Sequence, residues 1–87
     1  IGLVQQVVDP DALLATAHAY IADLAANVSP ASLADTKRLV YEGFGVTYPA
    51  ALDEIDAVQY AALDRPDARE GASALMEKRA PNFPRLS

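Results

Sequence analysis

Apolar residues fall along the chain as one short run followed by four stripes at helical spacing. The run is Leu3-Val4-Gln5-Gln6-Val7-Val8, short and β-branched, which predicts a strand or an extended segment. Asp9-Pro10 stops it. Aspartate suits a helix cap, and proline suits the first helical position, where its missing N–H costs nothing. Leu14, Ala17, Ile21, Leu24 and Val28 then recur at spacings of three and four, predicting a helix over about Pro10 to Asn27. Ser29-Pro30 repeats the start signal. Leu33, Thr36, Val40 and Phe44, with Leu39 beside them, predict a second helix to about Glu42, closed by Gly43 and Gly45 in left-handed geometry. Tyr48-Pro49 opens a third, with Ala51, Ile55, Val58 and Ala62 as its stripe and Pro66 as its end. Asp67 to Arg79 is the fourth, with Ala68, Ala72, Leu75 and Met76 inward. Pro81 and Pro84 keep the tail non-helical. The fold class expected is all-α: a short strand or extended segment, then about four helices.

Length sharpens this picture. At 87 residues a chain buries only about 60–65% of its unfolded surface, so burial barely exceeds the entropy of ordering. Small domains usually add a staple. Cysteine is absent, which excludes disulfides and thiolate metal sites, and one histidine excludes a multi-histidine site. No metal site is expected. About a fifth of the residues are alanine, which packs closely but buries little area each. The stripes therefore call for a larger surface to pack against, and self-association is expected. The chain opens Ile1-Gly2-Leu3 without a methionine, which suggests a processed chain or a piece of a longer one. No apolar run approaches the ~20 residues that cross a bilayer, so no membrane partner is expected.

Charge restricts function further. Seven Lys and Arg against twelve Asp and Glu give a formal net charge of −5. That disfavours nucleic acid as a partner, because a phosphate-backbone footprint needs clustered positive charge. The distribution is uneven. The acids Asp9, Asp11, Asp23 and Asp35 precede any Lys or Arg, whereas Arg65, Arg69, Lys78, Arg79 and Arg85 make the last quarter locally basic and able to meet an anion.

Catalytic constellations are hard to build from these residues. His18 is the one candidate base for a nucleophilic serine, and its mid-helix place beside the apolar stripe reads as a partly buried structural residue. Asp53, Glu54 and Asp56 crowd the first turns of the third helix, where they suit the helix dipole better than a catalytic pair. Gly43-Phe44-Gly45 follows a helix, so it is a cap and not a phosphate loop. Acyl carrier proteins share the size and acidity. However, Ala31 precedes Ser32-Leu33 where their prosthetic-group motif has aspartate.

One ordered set of signals is more specific. Gly2-Leu3-Val4 is followed by an Asp-led helix ending in Asn27-Val28-Ser29-Pro30 and a helix with Thr36-Lys37-Arg38. Then come Asp67-Ala68-Arg69-Glu70-Gly71 and Glu77-Lys78-Arg79-Ala80-Pro81-Asn82-Phe83. This order, over essentially the whole chain, resembles the C-terminal region of the enoyl-CoA hydratase/isomerase (crotonase) family, which has an α/β spiral fold. The resemblance implies that residues 1–9 are a strand or linker left from a missing N-terminal spiral domain. Residues 10–87 would be the helical region that covers the site and builds a trimer or dimer of trimers. It implies an acyl-CoA-handling enzyme, an enoyl-CoA hydratase of fatty acid oxidation, in the cytoplasm. Coenzyme A thioester would be its substrate, with no cofactor. The family's catalytic glutamates have no counterpart here, so no catalytic residue is expected and the 87 residues alone should be inactive. Lys78 matches a lysine offered to a coenzyme A phosphate. Leu75 and Gln59 match positions near the adenine or acyl end, where the family often has aromatic or apolar side chains. The alternative from a different class is a non-enzymatic helical interaction module.

Overall fold

A proline in the first turn removes a donor that a helix start leaves unpaired anyway, and every helical segment but one opens this way. In the computed structural model, which describes residues 1–86, a 3-10 turn at Pro10–Ala12 leads into α1, Leu13–Asn27. Then follow α2, Pro30–Gly43; α3, Tyr48–Leu63; and α4, Pro66–Glu77. The layout is all-helical, as the stripes require. Residues 1–8 take the second of the two expected forms: they form no strand, because no segment lies alongside to complete a ladder.

Boundaries differ from the pattern in instructive places. Ser29 caps α2 through its side chain, accepting from the Ser32 N–H at 3.1 Å, as its position before Pro30 predicts. Asp9 makes no such bond, and only the backbone carbonyl serves the turn. Gly43 is the last residue of α2, but neither Gly43 nor Gly45 is left-handed; the helix runs out through Phe44 in a right-handed conformation. α4 starts at Pro66, one residue before the expected Asp67, and ends at Glu77, two before Arg79.

α2 packs on α3 and α3 on α4, whereas α1 packs chiefly on its own leading turn. Polar ties reinforce the sequence of neighbours. Arg38 of α2 donates to Glu54 of α3 and to Glu42, both at 2.8 Å. Glu54, then Glu42, raise its guanidinium above the ordinary value. Arg65, between α3 and α4, reaches Asp35 of α2 at 2.6 Å.

The helices do not enclose a core. Ala74 is the one buried apolar residue among those described. The accessible surface is 7401 Å², against about 4,900 Å² for a closed monomer of this mass. The radius of gyration is 16.1 Å, against about 12 Å for a compact domain of this length. Leu14, Ile21, Leu75 and Met76, all placed inward by their spacing, are 61–83% exposed. Periodicity marks the side of a helix that must be covered; what covers it need not be in the same 87 residues.

Candidate functional site

Helix α4 ends in the feature that organises the C-terminal quarter. The Lys78 N–H donates to the Leu75 carbonyl at 3.3 Å, and the Arg79 N–H to the Ala74 carbonyl at 3.0 Å. This pair of bonds is the Schellman closure, which needs a left-handed residue between them. Glycine is usual there. Here it is Lys78, at φ 54° and ψ 43°, the one non-glycine residue with positive φ among those described. A side chain costs roughly 1–2 kcal/mol in that conformation.

The reversed chain is then clasped to the helix. Arg79 forks onto Glu70, with Nη1 to Oε1 at 2.7 Å and Nη2 to Oε2 at 3.1 Å. The Asn82 N–H donates to the same Glu70 Oε1 at 2.7 Å, and Arg79 Nε donates to Glu77 at 2.7 Å. The Arg79 guanidinium, then the Asn82 amide, lower the Glu70 carboxyl to about 2. The two carboxylates in turn raise Arg79. Beyond the clasp, half-buried Phe83 lies over Gly71, the residue after Glu70, with its ring where a Cβ on Gly71 would make an ordinary van der Waals contact.

A second polar joint sits at the other end of α4. The Ser29 hydroxyl donates to Asp67, and both residues are buried. Ser29 thus serves two roles, accepting from its own helix start and donating to the first turn of α4. Asp67 also places negative charge at the positive end of the α4 dipole. An open groove between these elements is lined by Val28, Gln59, Leu63, Ala68, Gly71 and Phe83, among others.

The three residues matched by resemblance do not share that groove. Gln59 borders it from α3, beside the first half of α4. Leu75, 79% exposed, and Lys78 stand at the far end of α4 and do not line it. His18 is exposed on α1, not partly buried, because α1 has no helix packed over that face. Glu54 pairs with Arg38 across α2 and α3 and holds the two helices together. No cluster of three or more His, Asp or Glu side chains suited to a metal occurs among the described residues. What residue-by-residue reasoning missed is the clasp. Its signal was present in the resemblance, since Glu70, Gly71, Arg79 and Phe83 are the same residues that make the motif pair recognisable.

No family model matches the sequence, and no curated protein matches it. Solved structures do. A probable enoyl-CoA hydratase/isomerase from Mycobacterium abscessus superimposes with a TM-score of 0.87 at 28% identity, over 98% of this chain and 34% of that one. Enoyl-CoA hydratases from Mycobacterium marinum and Mycobacterium tuberculosis H37Rv give TM-scores of 0.78 and 0.80 at 31% and 30% identity. Each covers 95% of this chain, and the chain covers 34% and 32% of them respectively. The chain thus has the fold of a helical part of these enoyl-CoA hydratase/isomerases, the likeness that its motifs implied. It spans about a third of the length of these crotonase-family structures. In those structures the matching helices are one part of a larger fold. No helix among the described residues is long and apolar enough to cross a membrane.

Proposed function

We propose that this helical region serves a crotonase-type enzyme that adds water across the double bond of a trans-2-enoyl-CoA thioester. The observation that carries the reading is the likeness to enoyl-CoA hydratases over nearly the whole chain, at identities near 30%. In such an enzyme the region supplies no acid or base. Backbone amides elsewhere would stabilise the thioester enolate, and glutamates elsewhere would manage the water and its proton. This chain would cover the site and offer the Lys78 ammonium to a coenzyme A phosphate, with Leu75 and Gln59 toward the adenine or acyl end. Residues 1–9 would link to a preceding spiral domain. Copies would assemble through the helices, in the cytoplasm.

Two tests address it. The DNA upstream of Ile1 should encode a spiral domain with a glycine-rich oxyanion loop. An immediate start codon or an unrelated domain there would favour a non-enzymatic interaction module instead, a reading that the exposed apolar faces also fit. The purified 87-residue chain should not hydrate crotonyl-CoA, and measurable hydration would overturn the assignment of chemistry to other parts.

A further inference from the structure

Lysine occupies a backbone position that glycine fills at lower cost, and it does so where five hydrogen bonds fix the chain around it. Lys78 lies between the last turn of α4 and Arg79, so its φ and ψ decide where the ammonium is presented. Two sets of bonds determine those angles. The Schellman pair requires a left-handed residue at 78. The Arg79 fork and the Asn82 N–H, both ending on Glu70, prevent the following residues from relaxing back into a right-handed turn. Arg79 is well suited to this, because its planar fork fixes direction as well as distance, which an ammonium does not. Lys78 itself makes no side-chain hydrogen bond or ion pair among the described residues, although Glu77 and Glu70 are both nearby in the chain. Arg79 takes both carboxylates, and the Lys78 ammonium is left unpaired.

We propose that Glu70 and Arg79 are positioning residues for ligand binding. On this proposal the clasp holds Lys78 in its left-handed conformation and consumes the neighbouring carboxylates, so that the ammonium stays aimed and unneutralised for a phosphate of coenzyme A. This rests on the functional reading above and deepens it. It makes the lysine's strain purposeful: a glycine would close the helix equally well but would present nothing. Neither Glu70 nor Arg79 touches the ligand, and their effect passes entirely through Lys78.

The experiment uses the full-length enzyme carrying this region, with two substrates that differ only in the nucleotide end: crotonyl-CoA and crotonyl-pantetheine, which has no phosphate. Lys78→Ala should raise KM for crotonyl-CoA roughly 2- to 30-fold, as for one charge-assisted hydrogen bond weakened by partial solvent exposure, and leave KM for crotonyl-pantetheine in place. Glu70→Gln should reproduce that selective rise, and the double variant should add little, because both act on one contact. Arg79→Lys keeps the cation but loses the fork, and carries the same comparison if Glu70→Gln does not fold. Equal losses with both thioesters, or a fall in kcat alone, would make the clasp a stabilising feature and overturn the proposal. A selective effect of Lys78→Ala with none from Glu70→Gln or Arg79→Lys would remove the clasp while leaving the lysine. No effect of Lys78→Ala on either substrate would remove the ligand role of Lys78, and the positioning proposal with it.

Discussion

Helix α1 and the α4–tail segment carry similar apolar stripes and end up in opposite situations. α1 shows Leu13, Leu14, Tyr20 and Ile21 to solvent, and its side-chain hydrogen bond, Asn27 to Asp23, stays within the helix. α4 is tied at its start by Ser29 and Asp67, and near its end by Glu70, Arg79 and Asn82, and it is covered partway by Phe83. Apolar area alone does not distinguish the two. Polar groups at defined points let a short amphipathic helix be held by neighbours in its own chain. A helix without them awaits a surface from outside.

The largest effect on the tied region should come from its buried joint. Asp67→Ala leaves the buried Ser29 hydroxyl without its acceptor and should cost about 1–3 kcal/mol, whereas Asp67→Asn keeps an acceptor and should cost less. Urea melts at one fixed protein concentration check this, since stability depends on concentration wherever copies associate. Equal losses in both variants would mean that the joint is not a hydrogen-bonding one. Phe83→Ala removes a half-buried ring and should cost about 2 kcal/mol, below the 3–5 kcal/mol of a fully buried one. The same change at Phe44, which is 87% exposed, should be close to neutral.

Acid should open the clasp only as pH falls towards about 2. Glu70 is depressed to about 2 by Arg79 and Asn82. A carboxyl lowered on folding contributes stability that is fully present above its unfolded value near 4.5 and is lost as pH falls through about 2. Carboxyl chemical shifts should therefore show Glu70 titrating with a midpoint near 2. A midpoint near 4.5 would mean that the clasp is not populated. The smallest effect is at Gly71. An added Cβ would meet Phe83 at 3.7 Å, an ordinary contact, and the backbone there is helical. Gly71→Ala should thus stabilise by about 0.5–1 kcal/mol through helix propensity; a loss would show that the ring sits closer than this.

Legibility in the sequence followed the range of the interaction. Pro10, Pro30 and Pro49 announced their helix starts because proline acts on its own residue and the one before it, whereas Pro66, expected only to end the third helix, also opens the fourth. Gly43 marked the end of α2, but the left-handed cap occurred at Lys78 instead, where nothing local distinguishes that lysine from any other near a helix end. Glu70 lies nine residues from Arg79 and twelve from Asn82, so their union depends on a chain reversal that no window of helical spacing contains. Family resemblance found those residues without explaining them. The clasp gives the reason: the motif pair is the two halves of one joint. The fate of Leu14 and Ile21 was out of reach for another reason, since the surface that would cover them is not among the residues seen.

Sedimentation velocity of the 87-residue chain at micromolar concentration tests the central claim most directly: that the tail closes on itself while α1 does not. The surface exceeds that of a closed monomer by about 2,500 Å², comparable to an obligate interface. The chain should therefore sediment as a self-associated species, and Ile21→Asp, on the open face of α1, should shift it toward monomer. A compact monomer of 9.2 kDa that unfolds cooperatively, unmoved by Ile21→Asp, would contradict the account.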